Sequence, residues 1–165
     1  MGAALAQESD YANPLDRVER LAERRDWPVD RTNDHEVNMR VASAWNDLFL
    51  SLNWHDDLES LHLACSYDIK VPDKHRAEVT RLLALVNARL HAGHFDLWAD
   101  GSVIYRHSLT LAGGAIANDA QCEAMIRTGL AACEVYFPAL QFVVWAGKTA
   151  EDAMAGALFD TMGEA

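Results

Sequence analysis

The sequence predicts an α+β fold, an antiparallel sheet packed against helices, with the element order α-ββββ-α-ββ-α-α. Two observations carry this. Residues 27–67 show consecutive apolar/polar alternation with no helical crossover between the runs, which is the mark of an antiparallel meander. After it come segments with apolar residues at helical spacing, separated by a second hairpin.

The first helix opens at Asn13-Pro14, where Asn13 can cap and Pro14 sits where a missing N–H costs nothing. Leu15, Val18, Leu21 and Ala22 form its apolar stripe. Charges of both signs surround the stripe, so Arg24-Arg25 reads as part of a solvated face and not as a nucleic-acid patch. Residues 27–31 read as a short strand. Val37, Met39 and Val41 then alternate with polar residues in a half-buried second strand. Residues 45–54 place Leu48, Leu50, Leu52 and Trp54 on one face and Trp45, Phe49, Ser51 and Asn53 on the other. His55-Asp56-Asp57 turns the chain, and residues 58–67 return with Leu61, Leu63, Cys65 and Tyr67 inward.

Pro72 starts the second helix, whose Val79, Leu82, Leu83, Val86 and Leu90 share one face, with Gly93 as a stop. Residues 94–98 and 103–111 form a hairpin around Asp100-Gly101. Asn118 and Gln121 stand in a capping-box relation before a long helix carrying Cys122, Ile126, Leu130, Cys133 and Phe137, which Pro138 ends or restarts. Thr149 and Asp152 cap a last short helix.

The chain has 165 residues, half of them hydrophobic, which suits one domain with its own core. Residues 1–12 are expected to be a disordered N-terminal tail, and residues 13–165 a single domain. The tail has no basic residue and no sustained apolar run, so it does not read as a secretory signal. With 25 acidic against 14 basic residues the net charge is −11, which argues against nucleic acid or an anionic membrane as partner. No stretch approaches the ~20 apolar residues that span a bilayer. Three irregularly spaced cysteines fit a reducing cytoplasm.

No catalytic or metal constellation emerges. His91 and His94 have HxxH spacing, but Gly93 breaks the helix between them and nothing nearby completes a ligand set. His62 and Cys65 fall on opposite faces of a strand and cannot form a base–thiol pair. Cys122 and Cys133 lie on an apolar helix face and read as packing. Gly113-Gly114 precedes a helix as a phosphate cradle would, yet Asp119 and Glu123 would repel an anion there. His55-Asp56-Asp57 could hold a cation, although polar hairpin turns have this composition routinely. No cofactor is expected. The odd feature is Trp45 with Phe49 on the polar face of the long hairpin. Either helices cover them, or they form an apolar contact face for a protein partner or a second copy of the chain.

The segment Leu61-His62-Leu63-Ala64-Cys65-Ser66-Tyr67-Asp68-Ile69-Lys70-Val71-Pro72 leads into a helix ending Leu85-Val86-Asn87-Ala88-Arg89-Leu90. Then follow Gly93-His94-Phe95-Asp96-Leu97-Trp98, Val103-Ile104-Tyr105-Arg106-His107, Tyr136-Phe137-Pro138 and Gln141-Phe142-Val143-Val144-Trp145-Ala146-Gly147. From about Trp27 onward the chain resembles the YbjN family of bacterial sensory transduction regulators. The resemblance implies the fold of type III secretion chaperones, a curved antiparallel sheet flanked by helices and commonly dimeric. It implies no cofactor and no catalytic residue. The expectation is a cytoplasmic, non-enzymatic regulatory protein, homodimeric, that binds a protein partner through Trp45 and Phe49. The alternative is a small-molecule sensor with a pocket between the sheet and the helices.

Overall fold

Asn13 opens the first helix of the computed structural model, which describes residues 13–162; the tail expected over residues 1–12 lies outside the described residues. The Asn13 side chain accepts from the Leu15 N–H at 3.0 Å, and Pro14 takes the first helical position of α1 (Pro14–Arg24). The chain then runs through β1 (Val29–Asn33), β2 (Glu36–Ala42), β3 (Asp47–His55), a 3₁₀ turn, and β4 (Ser60–Lys70). A second 3₁₀ turn, Asp73–His75, precedes α2 (Arg76–Asn87), so the helix starts later than Pro72 and ends well before Gly93. The hairpin of β5 (His94–Leu97) and β6 (Ser102–Thr110) follows, then α3 (Asp119–Val144) and α4 (Ala150–Met162). The expected order α-ββββ-α-ββ-α-α is the observed one. The first strand starts at Val29 and not at Trp27, because Pro28 precedes it and the Trp27 N–H is spent on the end of α1, on the Ala22 carbonyl at 3.0 Å.

The six strands form one antiparallel sheet in the order β1-β2-β3-β4-β6-β5. Alternation decides its two faces. Val37, Met39 and Val41, then Leu48, Leu50 and Leu52, then Leu61, Leu63, Cys65 and Tyr67 are buried on one side. In register with them lie Phe95, Val103 and Tyr105. Helix α1 packs on β1 to β3, α3 on β4 and β6, and α2 on β5, while α4 rests on α3 and α2. Among the described residues no helix lies on the opposite face.

Helix α3 sits unusually close to the sheet. A Cβ on Gly129 would lie 3.0 Å from Leu63 Cδ2 and 3.1 Å from Tyr105 Cε1. Tyr67 and Tyr105 fill the layer beneath, and their hydroxyls donate to the carbonyls of Cys133 (2.7 Å) and Ala92 (2.9 Å). Burial holds the Tyr67 phenol well above its ordinary value and pushes Tyr105 up to about 12, with Cys133 and Cys65 adding to both. Both phenols are therefore permanent donors.

Two local devices secure the sheet's far side. Gly101 adopts φ +85°, and a Cβ there would meet the Val71 carbonyl at 2.8 Å, so the β5–β6 turn requires glycine. At the outer edge of β5 the Asn87 side chain accepts from the Phe95 N–H (2.8 Å) and donates to the Phe95 carbonyl (3.1 Å), standing in for a neighbouring strand.

The Gly129 contact leaves no room for a branched side chain. Gly129→Leu is expected to lower unfolding free energy by about 1–3 kcal/mol in urea denaturation, although leucine is the better helix former. A gain in stability would mean that α3 and the sheet are less closely packed than described.

Candidate functional site

The uncovered face reads as rows of cross-strand neighbours. One row runs Arg40, Phe49, Ser66, Ile104 and Asp96 across five strands; the next runs Asn38, Ser51, Ala64, Arg106 and His94. Small side chains on β4 make the floor, and larger ones rise at either side. The result is a groove of about 710 Å³ that includes Pro28, Phe49, Ala64, Ser66, Trp98 and Ile104. That volume lies in the range of ligand and peptide sites. Phe49 is 43% exposed and Trp98 47%, whereas Ile104 is buried between them. Trp98 and Ile104 escape a reading for alternation alone. The signal was present in the run Val103-Ile104-Tyr105, which must turn one apolar residue to the outer face.

Phe49 lies where the sequence places it, on the outer face. Trp45 does not share that face. It falls in a bend before β3, where the Ser43 hydroxyl donates to the Asn46 carbonyl at 2.6 Å. From there its indole reaches α3 and donates to the Glu134 carbonyl at 3.0 Å. That carbonyl needs an outside donor for a covalent reason. In an α-helix it would accept from residue 138, and Pro138 has no N–H. The Ala44 N–H meanwhile donates to Glu134 Oε1 at 2.9 Å, so one bend holds both ends of this glutamate. With the gap sealed, α3 runs for 26 residues straight through Pro138, where an end or restart was expected.

Between sheet and helices the layer is tightly packed where Tyr67 and Phe95 meet α2 and α3. The space among Tyr67, Leu82, Val86, Phe95, Tyr136 and Leu140 is about 10 Å³, scarcely one water. Aromatic rings occupy it: Tyr67 lies 5.0 Å from Phe137 and Phe95 5.4 Å from Tyr105, centroid to centroid. The groove of about 710 Å³ is on the sheet's other side.

The remaining candidates resolve into structural parts. Cys65, Cys122 and Cys133 are all buried and unbridged. A hydrogen bond with Cys133, and then burial, hold the Cys65 thiol well above its ordinary value, so it is not a nucleophile at neutral pH. The Gly113-Gly114 loop does hold an anion, but an internal one: both N–H groups donate to the Glu59 carboxylate, at 3.1 and 3.3 Å. Arg24 and Arg25 pair with Asp119 and Glu123 in the first two turns of α3, with Arg17 joining at Asp119. His62 projects from the outer face and Cys65 from the inner, as their spacing requires. Among the described residues no group of three or more His, Cys, Asp or Glu side chains could hold a metal ion. No helix among them is long and apolar enough to cross a membrane.

A family model named YbjN, described as "putative bacterial sensory transduction regulator", matches residues 14–142. Among solved structures, the crystal structure of YbjN, "a putative transcription regulator from E. coli", superposes with a TM-score of 0.54 at 11% identity. The match covers 74% of this chain and 87% of that one. At that identity the likeness concerns the fold. No curated protein sequence matches the chain.

The partnership of Trp45 with Pro138 can be read from a double-mutant cycle. Trp45→Phe is expected to cost about 1 kcal/mol of stability by removing the donor to Glu134. In a Pro138→Ala background the new N–H at 138 can satisfy that carbonyl, and the cost of Trp45→Phe should shrink. Equal costs in both backgrounds would show that the indole acts through packing alone.

Proposed function

The chain belongs to the YbjN family, and from that premise we propose that it is a non-enzymatic regulatory protein of the cytoplasm that binds a segment of a protein partner. One domain, over residues 13–165, would carry this activity. The observation behind the reading is the groove across the uncovered sheet face, with Phe49 and Trp98 half exposed over a floor of Ala64 and Ser66. Exposed aromatic rings beside small residues suit apolar anchors from a partner, and the polar rim fixes orientation. The family is described as a regulator, and no nucleophile–base pair or metal set is apparent among the described residues.

We also assign a second copy of the chain to the helical side. Trp45, Trp145 and Phe159 leave 51%, 66% and 78% of their surfaces exposed on or beside the helices. Large exposed apolar side chains are groups that a subunit contact can cover. Neither surface suits nucleic acid or an anionic membrane in a chain of net charge −11.

Affinity purification from the native bacterium, with light scattering on the pure protein, tests both assignments. Wild type is expected to scatter as twice the chain mass and to recover one dominant protein. Phe49→Asp and Trp98→Ala should lose that protein while leaving stability within about 0.5 kcal/mol, as surface changes do. A monomer that recovers nothing would overturn the reading. Retention of the partner by both variants would move the site off the groove.

A further inference from the structure

Strand β1 is one edge of the sheet, and its ladder shows which backbone groups stay open. The Arg40 N–H donates to the Pro28 carbonyl at 3.2 Å, and the register continues as Val29↔Met39, Asp30↔Asn38 and Arg31↔Val37. Antiparallel pairing alternates hydrogen-bonded and non-hydrogen-bonded pairs. Asp30 therefore turns its N–H and C=O to β2, while Val29 and Arg31 turn theirs outward, where no described residue pairs with them. The centre of β5 differs, since Asn87 fills both outward groups of Phe95. We propose that the β1 edge takes up a short extended segment of the protein partner as an added antiparallel strand, with lysine or arginine opposite Asp30 and an apolar residue opposite Val29. This assignment rests on the partner reading above and adds how the segment is held and what it carries.

Both ends of the open stretch are fixed. The Trp27 N–H, next in the outward series, is spent on the Ala22 carbonyl at 3.0 Å, and beyond Arg31 the register shifts. A second copy of the chain is the wrong occupant of this stretch. Open groups must meet open groups, which leaves antiparallel self-pairing centred on Val29, Asp30 or Arg31. Centring on Asp30 opposes that carboxylate to its own copy, and centring on Arg31 opposes the two guanidinium-bearing residues; like charges directly opposite destabilise a ladder. Centring on Val29 calls on the Trp27 N–H, which α1 already holds.

Charge complementarity selects a basic segment instead. Arg31 Nη1 lies 3.1 Å from Asp16 and 3.3 Å from Glu19, so two carboxylates already outweigh its charge. Asp30, exposed on the outer face, adds a further negative charge at this edge of a chain of net charge −11. A strand added here forms a non-hydrogen-bonded pair at Asp30, the kind in which facing side chains come closest, so a cation placed opposite it is well used. Val29 packs against the core from its rim, and an apolar neighbour there continues that packing. Pro28, Val29 and Asp30 also line the groove, so edge and groove form one continuous surface.

Amide NMR of the full chain, titrated with the capped peptide Ser-Thr-Lys-Val-Ser, tests this. In antiparallel register its threonine, lysine and valine face Arg31, Asp30 and Val29. Saturable shifts and slowed hydrogen exchange at the Val29 and Arg31 N–H groups are the expected result. N-methylation of the threonine and the valine removes the N–H groups that face β1 and should weaken binding about tenfold or more. Glutamate in place of the lysine should weaken it several-fold, and Asp30→Lys should reverse that preference. Equal binding of the methylated peptide, or no saturable shift at millimolar peptide, would overturn the inference. So would exchange protection of these N–H groups before peptide is added: protection lost on dilution would place a second copy at the edge, and protection independent of concentration another part of the same chain. Shifts confined to groove amides such as those of Phe49 and Ala64 would also overturn it while leaving the partner reading standing, so the two fail separately.

Discussion

The closeness of α3 to the sheet, reached where Gly129 faces Leu63 and Tyr105, governs where everything else in this protein can be. A helix held that near expels water and ligand from the layer beneath it. Two tyrosines are then the largest side chains the layer admits, and each must deliver its hydroxyl to a backbone carbonyl, since a buried phenol without a partner is costly. The same closeness draws the helices to one face of the sheet. The other face stays uncovered among the described residues, and the groove lies on it.

Covering one face completely brings its own difficulty, because a 26-residue helix with a proline inside must have its freed carbonyl satisfied. Trp45 supplies that donor from the loop between β2 and β3, linking the rim of the sheet to the middle of α3. At the helix's other end Arg17, Arg24 and Arg25 of α1 meet Asp119 and Glu123. These ion pairs are partly exposed, so each adds little stability. Their use is to fix the direction in which α1 crosses the start of α3. The helix is pinned by a hydrogen bond at its proline and steered by charge at its start.

Much of this was legible in the chain. Period-two alternation assigns the strands and their faces, and it puts Phe49 on an otherwise polar face, where it lines the groove. What stays hidden depends on long-range register. Trp45 follows the alternation of its neighbours on paper, yet the Ser43 bend removes it from the strand, and its partner lies 89 residues away. The Gly113-Gly114 loop resembles an anion cradle and is one, but its occupant, Glu59, is 54 residues distant.

Asn87 has a consequence for how copies of this chain can assemble. A sheet with two open edges can extend without limit, each molecule adding to the last, as in a fibre. By occupying both outward backbone groups of Phe95, Asn87 keeps a further strand from pairing at the centre of β5. One amide side chain thus steers assembly away from this stretch of the sheet.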